Sequence, residues 1–410
     1  MLPRVIQDIL LIKDFRHYWA IGFMTSTARW LEVMAFSIIT WDLSGDAAIA
    51  GWMFASRMIS LGLTGLVFSI YGTHFSGIKI MLLVQSLVGA SCLAPIVTTY
   101  FFEETFLIFF LFLISILSGI LWSVDFSYRR RLLGDTLSKE QVGAGVSLDV
   151  LSSHATRLFG MIIGGFLLSI EEDDFSFIFL FLAILYFFSL LFYLSKKDKM
   201  LEARRPIRSA QPLKSVFNNA FNNIPVLTVL LLTPIFNIFV LPFFTLISLL
   251  FLEKFYVSEF EAGMLSSVES VGALIGGYCI SVFYPKNQVK AFCVSVLTLL
   301  ICLLFSGLIE VKSGIILFIL LAGIASSCYS ALQSSIIYTF TEPQLRSPTL
   351  SILTITIGAG FLGAINVAIL GLNMQVDRIV IFMSIEGLIL AALVLILIYW
   401  RKKLSSNFSS

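Results

Sequence analysis

The chain has 410 residues, 58% of them hydrophobic and 13% charged, with a formal net charge of +2. Soluble domains run about 45–50% apolar and about 25% charged, so a water-soluble fold is excluded and bilayer rules apply. A net charge near zero gives no sign of a nucleic-acid partner. The five cysteines fall in apolar runs with no metal-type spacing, and they read as small hydrophobic residues.

The opening stretch "MLPRVIQDILLIKDFRHYW" predicts a short amphipathic helix lying on the membrane, with no cleavable leader. A helix needs roughly 20 apolar residues to cross the hydrocarbon core. By that rule twelve spans follow, at 17–41, 47–71, 79–101, 105–127, 142–170 and 175–195, then 224–251, 260–284, 289–309, 313–339, 347–371 and 377–400. One long polar segment, 196–223, separates the two sets of six. The expected fold is therefore all-α and membrane-integral. Residues 1–195 form an N-terminal six-helix bundle and 196–223 a cytoplasmic linker. Residues 224–410 form a pseudo-symmetric C-terminal six-helix bundle with a short cytoplasmic tail.

Orientation follows from the lysine and arginine bias. With both termini in the cytoplasm, 21 of the 27 basic residues lie inside, three lie outside (Lys254, Lys312 and Arg378) and three lie within spans (Arg29, Arg57 and Arg157). The outer loops carry "EE" at 103–104 and "EEDD" at 171–174 instead. The two sets also repeat weakly. "AGWMFASRMISLGLTGLVFSIY" from Ala50 aligns with "AGMLSSVESVGALIGGYCISVF" from Ala262, which places Arg57 opposite Glu269. Repeated six-helix halves are a transporter architecture, with the substrate site between them near the midplane.

Charges inside a membrane are costly, and each is a functional candidate. "TARWLEVMAF" holds Arg29, Trp30 and Glu32, and the i,i+3 spacing predicts an Arg29–Glu32 pair. Asp125 and Arg129 stand four apart; Asp149, Ser153 and Arg157 step by four along one stripe. The second set offers Glu269 and Glu386 with no arginine nearby in sequence, plus the amides Asn237, Gln333 and Asn366. A lone carboxyl in low dielectric favours its neutral form, which suits a proton carrier but follows from burial alone. Each pair is either a structural lock or a substrate or proton site. On the functional reading, Arg29, Trp30, Glu32, Arg57, Asn237 and Gln333 bind substrate. Glu32, Asp125, Asp149 and Glu269 carry protons, and Arg129, Arg157, Gly160 and Gly164 gate. Glycine runs at 160–165, 272–277 and 358–363 predict close helix packing. His154 is a satisfied polar residue or a relay.

These features together resemble the major facilitator superfamily, and within it the branch of the enterobactin exporter and macrolide-efflux-type proteins. The stretch "DFSYRRRLLGDTLSKEQVGAGVSLDVLSSHATRLFGMIIGG" is similar to that branch's D-x-P-x-R-x-x-L-x-P-D-L-V and A-R-L-x-G-P-x-x-G-G patterns. Asp125, Arg129, Asp135, Arg157, Gly160, Gly164 and Gly165 match; Ser127, Gly134 and Met161 replace prolines, and Asp149 stands for an asparagine. The superfamily's cytoplasmic latch, G-x-L-a-D-R-x-G-R-R, is largely missing. Thr73 and His74 replace its aspartate and arginine, and Ile78 and Lys79 its basic pair. That departure implies that Asp125–Arg129 and Asp149–Arg157 carry more of the switching of states.

No Walker A, HExxH or GxSxG motif occurs, so neither ATP-driven pumping nor enzyme chemistry is expected, and no cofactor beyond the proton motive force. The resemblance implies a monomeric, multi-pass carrier in a bacterial cytoplasmic membrane, contacting lipid and a small-molecule substrate. Its expected activity is proton-coupled export of a siderophore or other small organic compound, anions among the candidates. The alternatives are import of a metal chelate or organic acid by symport, multidrug efflux, and a non-transporting sensor. For export, protonation of Glu32 would free Arg29 to clamp an anion.

Overall fold

The computed structural model describes residues 4–71, 77–101, 104–129, 132–133, 136–138, 141–170, 175–195, 220–342 and 345–407. Thr73, His74, Gly134, Asp135, the acidic run 171–174 and linker residues 196–219 lie outside them. A short helix α1 (Arg4–Leu11) leads into α2 (Lys13–Ser44), followed by α3 (Ala47–Tyr71), α4 (Gly77–Phe101) and α5 (Glu104–Val124). A π-turn, Asp125–Arg129, continues α5. Then come α6 (Val142–Leu168) and α7 (Ser176–Leu194). After the linker stand α8 (Ile224–Phe239), α9 (Phe243–Phe255), α10 (Glu259–Val282), α11 (Gln288–Leu308), α12 (Lys312–Phe340), α13 (Arg346–Gly358), α14 (Gly360–Gly371) and α15 (Val376–Asn407).

The fold is thus an all-α multi-pass membrane fold, and among the described residues ten stretches are long and apolar enough to span a bilayer. Helix α2 is not one of them, because its charges and hydroxyls lower its hydropathy. Its burial explains how it tolerates them. Every residue from 25 to 40 is buried, with α3, α5, α6, α7 and α9 packed around it. The helix ends at Gly45, whose φ of +63° lets its N–H cap the Trp41 carbonyl at 2.7 Å.

Two expected spans are each divided. The span 224–251 is α8 and α9, interrupted at 240–242 where Pro242 supplies no backbone N–H. The span 347–371 is α13 and α14, parted at Ala359 between two glycines. Asn223, Ser258 and Asn287 cap α8, α10 and α11 by accepting from backbone N–H groups three residues on, at 3.3, 3.3 and 3.0 Å.

The helices before and after the linker meet along two seams, α6 on α10 and α3 on α14, with α9 also lying against α2. Both seams are tightest at the end that carries Gly45. A Cβ on Gly51 would lie 2.7 Å from the Ala368 nitrogen, and one on Gly371 2.7 Å from the Ala48 nitrogen. Gly165 and Gly263 face each other in the same way across the other seam, with the Glu259 carbonyl 2.6 Å from the Gly165 position. Toward the linker end the α3 seam parts. Gly62 on α3 and Gly358 at the end of α13 both face open space, and α13 touches α3 far less than α14 does.

Candidate functional site

Among the described residues, three buried charge clusters occupy the interior. In the first, Glu32 is fully buried and its carboxylate accepts three bonds. Arg57 Nη2 donates at 2.8 Å, Ser118 Oγ at 2.7 Å and Tyr186 Oη at 2.6 Å. Arg57 also donates from Nη1 to the Arg29 carbonyl at 3.3 Å. The expected Arg29–Glu32 pair does not form. Shared helix face sets which residues are neighbours, but α3, α5 and α7 crowd α2 and bring donors closer to Glu32 than its own helix can. A cavity of about 10 Å³, room for one water, lies beside this clamp between Arg57, Ser115, Phe54 and Thr245.

Arg29 instead turns to the second cluster. It lies 3.8 Å from Asp125 and stacks over the Trp122 ring at 4.5 Å. Arg129 Nε donates to Asp125 at 2.7 Å, the i,i+4 pair expected, and its Nη1 donates to Asp149 at 3.0 Å. This Arg–Asp–Arg–Asp chain ties α2, the π-turn and α6 together within the N-terminal set. Gly22 makes room for it, because any side chain there would collide with the Arg129 guanidinium.

The third cluster crosses between the sets. Arg157 on α6 meets Glu269 on α10 at 2.5 Å, donates to Ser270 Oγ at 3.0 Å and contacts His154 Nδ1 at 3.1 Å. Ser326 on α12 donates to the other Glu269 oxygen at 2.9 Å. The guanidinium sits over Phe244 at 4.3 Å and Trp30 at 5.2 Å, two rings in edge contact with each other. Two expectations change here. Asp149 and Arg157 share a stripe but serve different partners. Glu269 has an arginine after all, supplied across the seam by a helix that sequence spacing cannot relate to it. All four groups are at least nine-tenths buried: Arg157 is 5%, Glu269 3%, Trp30 8% and His154 9% exposed.

The other expected site residues lie elsewhere. Gln333 donates to Thr233 Oγ1 at 2.9 Å and to Tyr329 Oη at 2.7 Å, while Asn237 donates to the Thr233 carbonyl at 2.9 Å. Tyr329 is itself stacked between Phe236 and Phe292. This knot joins α8 and α12 inside the C-terminal set. Asn366 donates to Glu386 at 2.7 Å between α14 and α15. Gly160 and Gly164 press on α2, against Leu31 and Met34, and it is Gly165 that faces the other set. Sequence spacing gave no sign of Ser118, Tyr186, Phe244, Ser270 or Ser326. Each is an ordinary residue of an apolar helix until its neighbour is known.

This arrangement can hold a charge balance and release it. Among the described residues no group of side chains could hold a metal. Of curated proteins, none matches the sequence. Solved structures share the fold. A POT family transporter in complex with a thioalcohol-conjugated peptide aligns over 96% of this chain and 99% of its own, at 14% identity and TM-score 0.74. A bacterial homologue of the iron transporter ferroportin, in an inward-facing state, aligns over 95% and 99%, at 15% identity and 0.68. The nucleoside transporter NupG aligns over 93% and 98%, at 13% and 0.67. The sequence profile described as Major Facilitator Superfamily matches residues 18–365, most of the chain. The protein is a secondary-active small-molecule transporter working by alternating access, and the chain belongs to the Major Facilitator Superfamily.

Proposed function

We propose that this carrier is a proton-coupled symporter that brings a small organic solute into the cell. The observation that carries the reading is the Arg157–Glu269 bridge, a buried ion pair that joins α6 to α10 and so the two helix sets. A solute that takes Arg157 leaves Glu269 as an unpaired carboxylate away from water, which then binds a proton. A proton on Glu269 in turn frees Arg157 for the solute. Each ligand favours the other, which is the linkage of symport. Exchange would need them to exclude each other. Export of a siderophore therefore takes second place; it draws on the sequence resemblance and on no feature of the bridge.

In this reading the chain crosses the membrane twelve times in two sets of six. Helix α2, and α13 with α14, supply the two crossings beyond the ten apolar ones. The basic-residue bias puts both termini and the linker on the cytoplasmic side of a bacterial inner membrane. One carrier unit is a single chain.

The test uses proteoliposomes with a trapped pH dye, offered alanyl-alanine, uridine or ferric citrate at equal pH on both sides. Symport acidifies the interior when a transported probe is added, and Glu269→Gln abolishes the acidification. An interior that turns alkaline, or acidification that survives Glu269→Gln, overturns the proposal.

A further inference from the structure

Among the described residues, two hydrogen-bond donors at the Arg157 site have nothing to bind. The indole Nε1 of Trp30 is buried without a partner, and an indole nitrogen only donates. His154 is more informative. Its Nδ1 faces Arg157 Nη2 at 3.1 Å, and a guanidinium can only donate. Nδ1 is therefore the acceptor, and the ring proton sits on Nε2. That Nε2–H is also buried without a partner among the described residues. Buried donors left idle are costly and rare in folded proteins. Here two of them flank an arginine whose only charged partner among the described residues is Glu269, with Phe244 and Trp30 forming aromatic walls around the guanidinium.

We infer that this constellation is the substrate site, and that the transported solute carries a carboxylate which replaces Glu269 on Arg157 and accepts from the idle Trp30 and His154 N–H groups. Among the described residues, the one unbonded acceptor at the site, Glu269 Oε2, faces the Arg157 guanidinium, while the two idle N–H groups, on Trp30 and His154, are donors, so the ligand group must be an acceptor. An arginine with its planar fork selects an anion with two oxygens over a neutral carbonyl. The site already holds a carboxylate, that of Glu269, which marks the room and the charge it is built for. Ser326 keeps hold of Glu269 at its other oxygen, giving the displaced carboxyl a neutral hydroxyl partner. The aromatic walls suit an apolar or planar body behind the carboxylate. In the closed arrangement Glu269 thus acts as a built-in stand-in for the substrate.

This inference rests on the symport reading, and the two can fail separately. The probes are two matched pairs, benzoate with benzamide and succinate with succinamide. Binding is measured by calorimetry on the full chain in detergent, in the Glu269→Gln background where the stand-in has lost its charge. At least one acid binds there at least about tenfold more tightly than its amide, charge-assisted hydrogen bonds being the strong ones. Adding Trp30→Phe or His154→Phe weakens the acid by about tenfold each, the loss of one donor to a charged acceptor, with the melting temperature unchanged. The substrate-class inference is overturned if the amides bind as well as the acids, if neither acid binds, or if both added variants leave the acid's affinity intact. Acid binding that moves no proton in wild-type proteoliposomes upholds the site and overturns the symport reading. Amides that carry protons inward do the reverse.

Discussion

Glu32 and Arg57 form a structural clamp whose removal should be read in stability before transport. Their side chains are 0% and 2% exposed, and the carboxylate takes donors from α3, α5 and α7 at once. All of those helices precede the linker, so the clamp spans no seam. Glu32→Ala strands the Arg57 guanidinium in the interior, and breaking a buried pair in this way costs about 3–5 kcal/mol. Tyr186→Phe removes one bond to a charged acceptor, about 1.5–3 kcal/mol. The double variant Glu32→Leu/Arg57→Met leaves no charge behind and recovers most of the loss, since apolar replacement of both partners is often close to neutral. Equilibrium unfolding of wild type, Glu32→Leu, Arg57→Met and their double variant in mixed detergent micelles gives the Glu32–Arg57 coupling by double-mutant cycle. If Glu32→Gln keeps wild-type stability yet loses proton-coupled transport, Glu32 titrates in the transport cycle and the clamp reasoning is refuted.

The seams give a matched comparison. A Cβ on Gly51 falls about 0.7 Å short of ordinary contact with Ala368, so Gly51→Ala should disfavour closure of the Gly45 end by about 1–3 kcal/mol. That is a shift of roughly five- to 150-fold in the population, read by maleimide labelling of a cysteine placed at Ala48. Gly62→Ala, which meets open space, should leave the labelling rate unchanged. Gly22→Ala should push Arg129 off Asp125 and lower the melting temperature, and Gly22→Ala combined with Arg129→Ala should lose little more than Arg129→Ala alone. At the far end of α2, beyond the expected span, the Asp42 carboxyl is pushed up to about 6 by partial desolvation at the rim and by the Glu259 carboxylate. A raised carboxyl pKa means that the folded state binds the proton more tightly than the unfolded state. Its stabilisation is whole below about 3.8 and is lost as pH rises through about 6. Asp42→Asn should flatten the fall in melting temperature between pH 4 and 7, and an unchanged slope would show that the group does not matter there.

The apolar stretches were legible because crossing a bilayer fixes a length, and ten of them return as spanning helices. The charged first helix was also legible as an interior one, since lipid would not accept Arg29 or Glu32. Their partners were not. Spacing along one helix reports which side chains share a face, and it says nothing of which other helix supplies the counter-charge. So Arg29 goes to Asp125 rather than Glu32, and Glu269 gains Arg157 from a helix more than a hundred positions earlier. The i,i+4 pair Asp125–Arg129 was readable because both members sit on one continuous stretch. The breaks at Pro242 and Ala359 leave a trace in composition, but hydropathy counts pass over them because a kinked span is as apolar as a straight one. The glycine runs announced close packing. Which glycine faced its own set and which faced the other depended on helix rotation, so Gly165 rather than Gly160 or Gly164 came to the seam.

The break at Ala359 separates two duties that a continuous helix would have to share. With α14 held against α3 at Gly51 and Gly371 while α13 stands clear of Gly62, tightness against ion leak and speed of turnover answer to different residues. Damage to the glycines at the Gly45 end would give a carrier that cycles but leaks. Stiffening the Gly358–Gly360 joint would give one that stays tight but runs slowly, so the two faults can arise independently in the same protein.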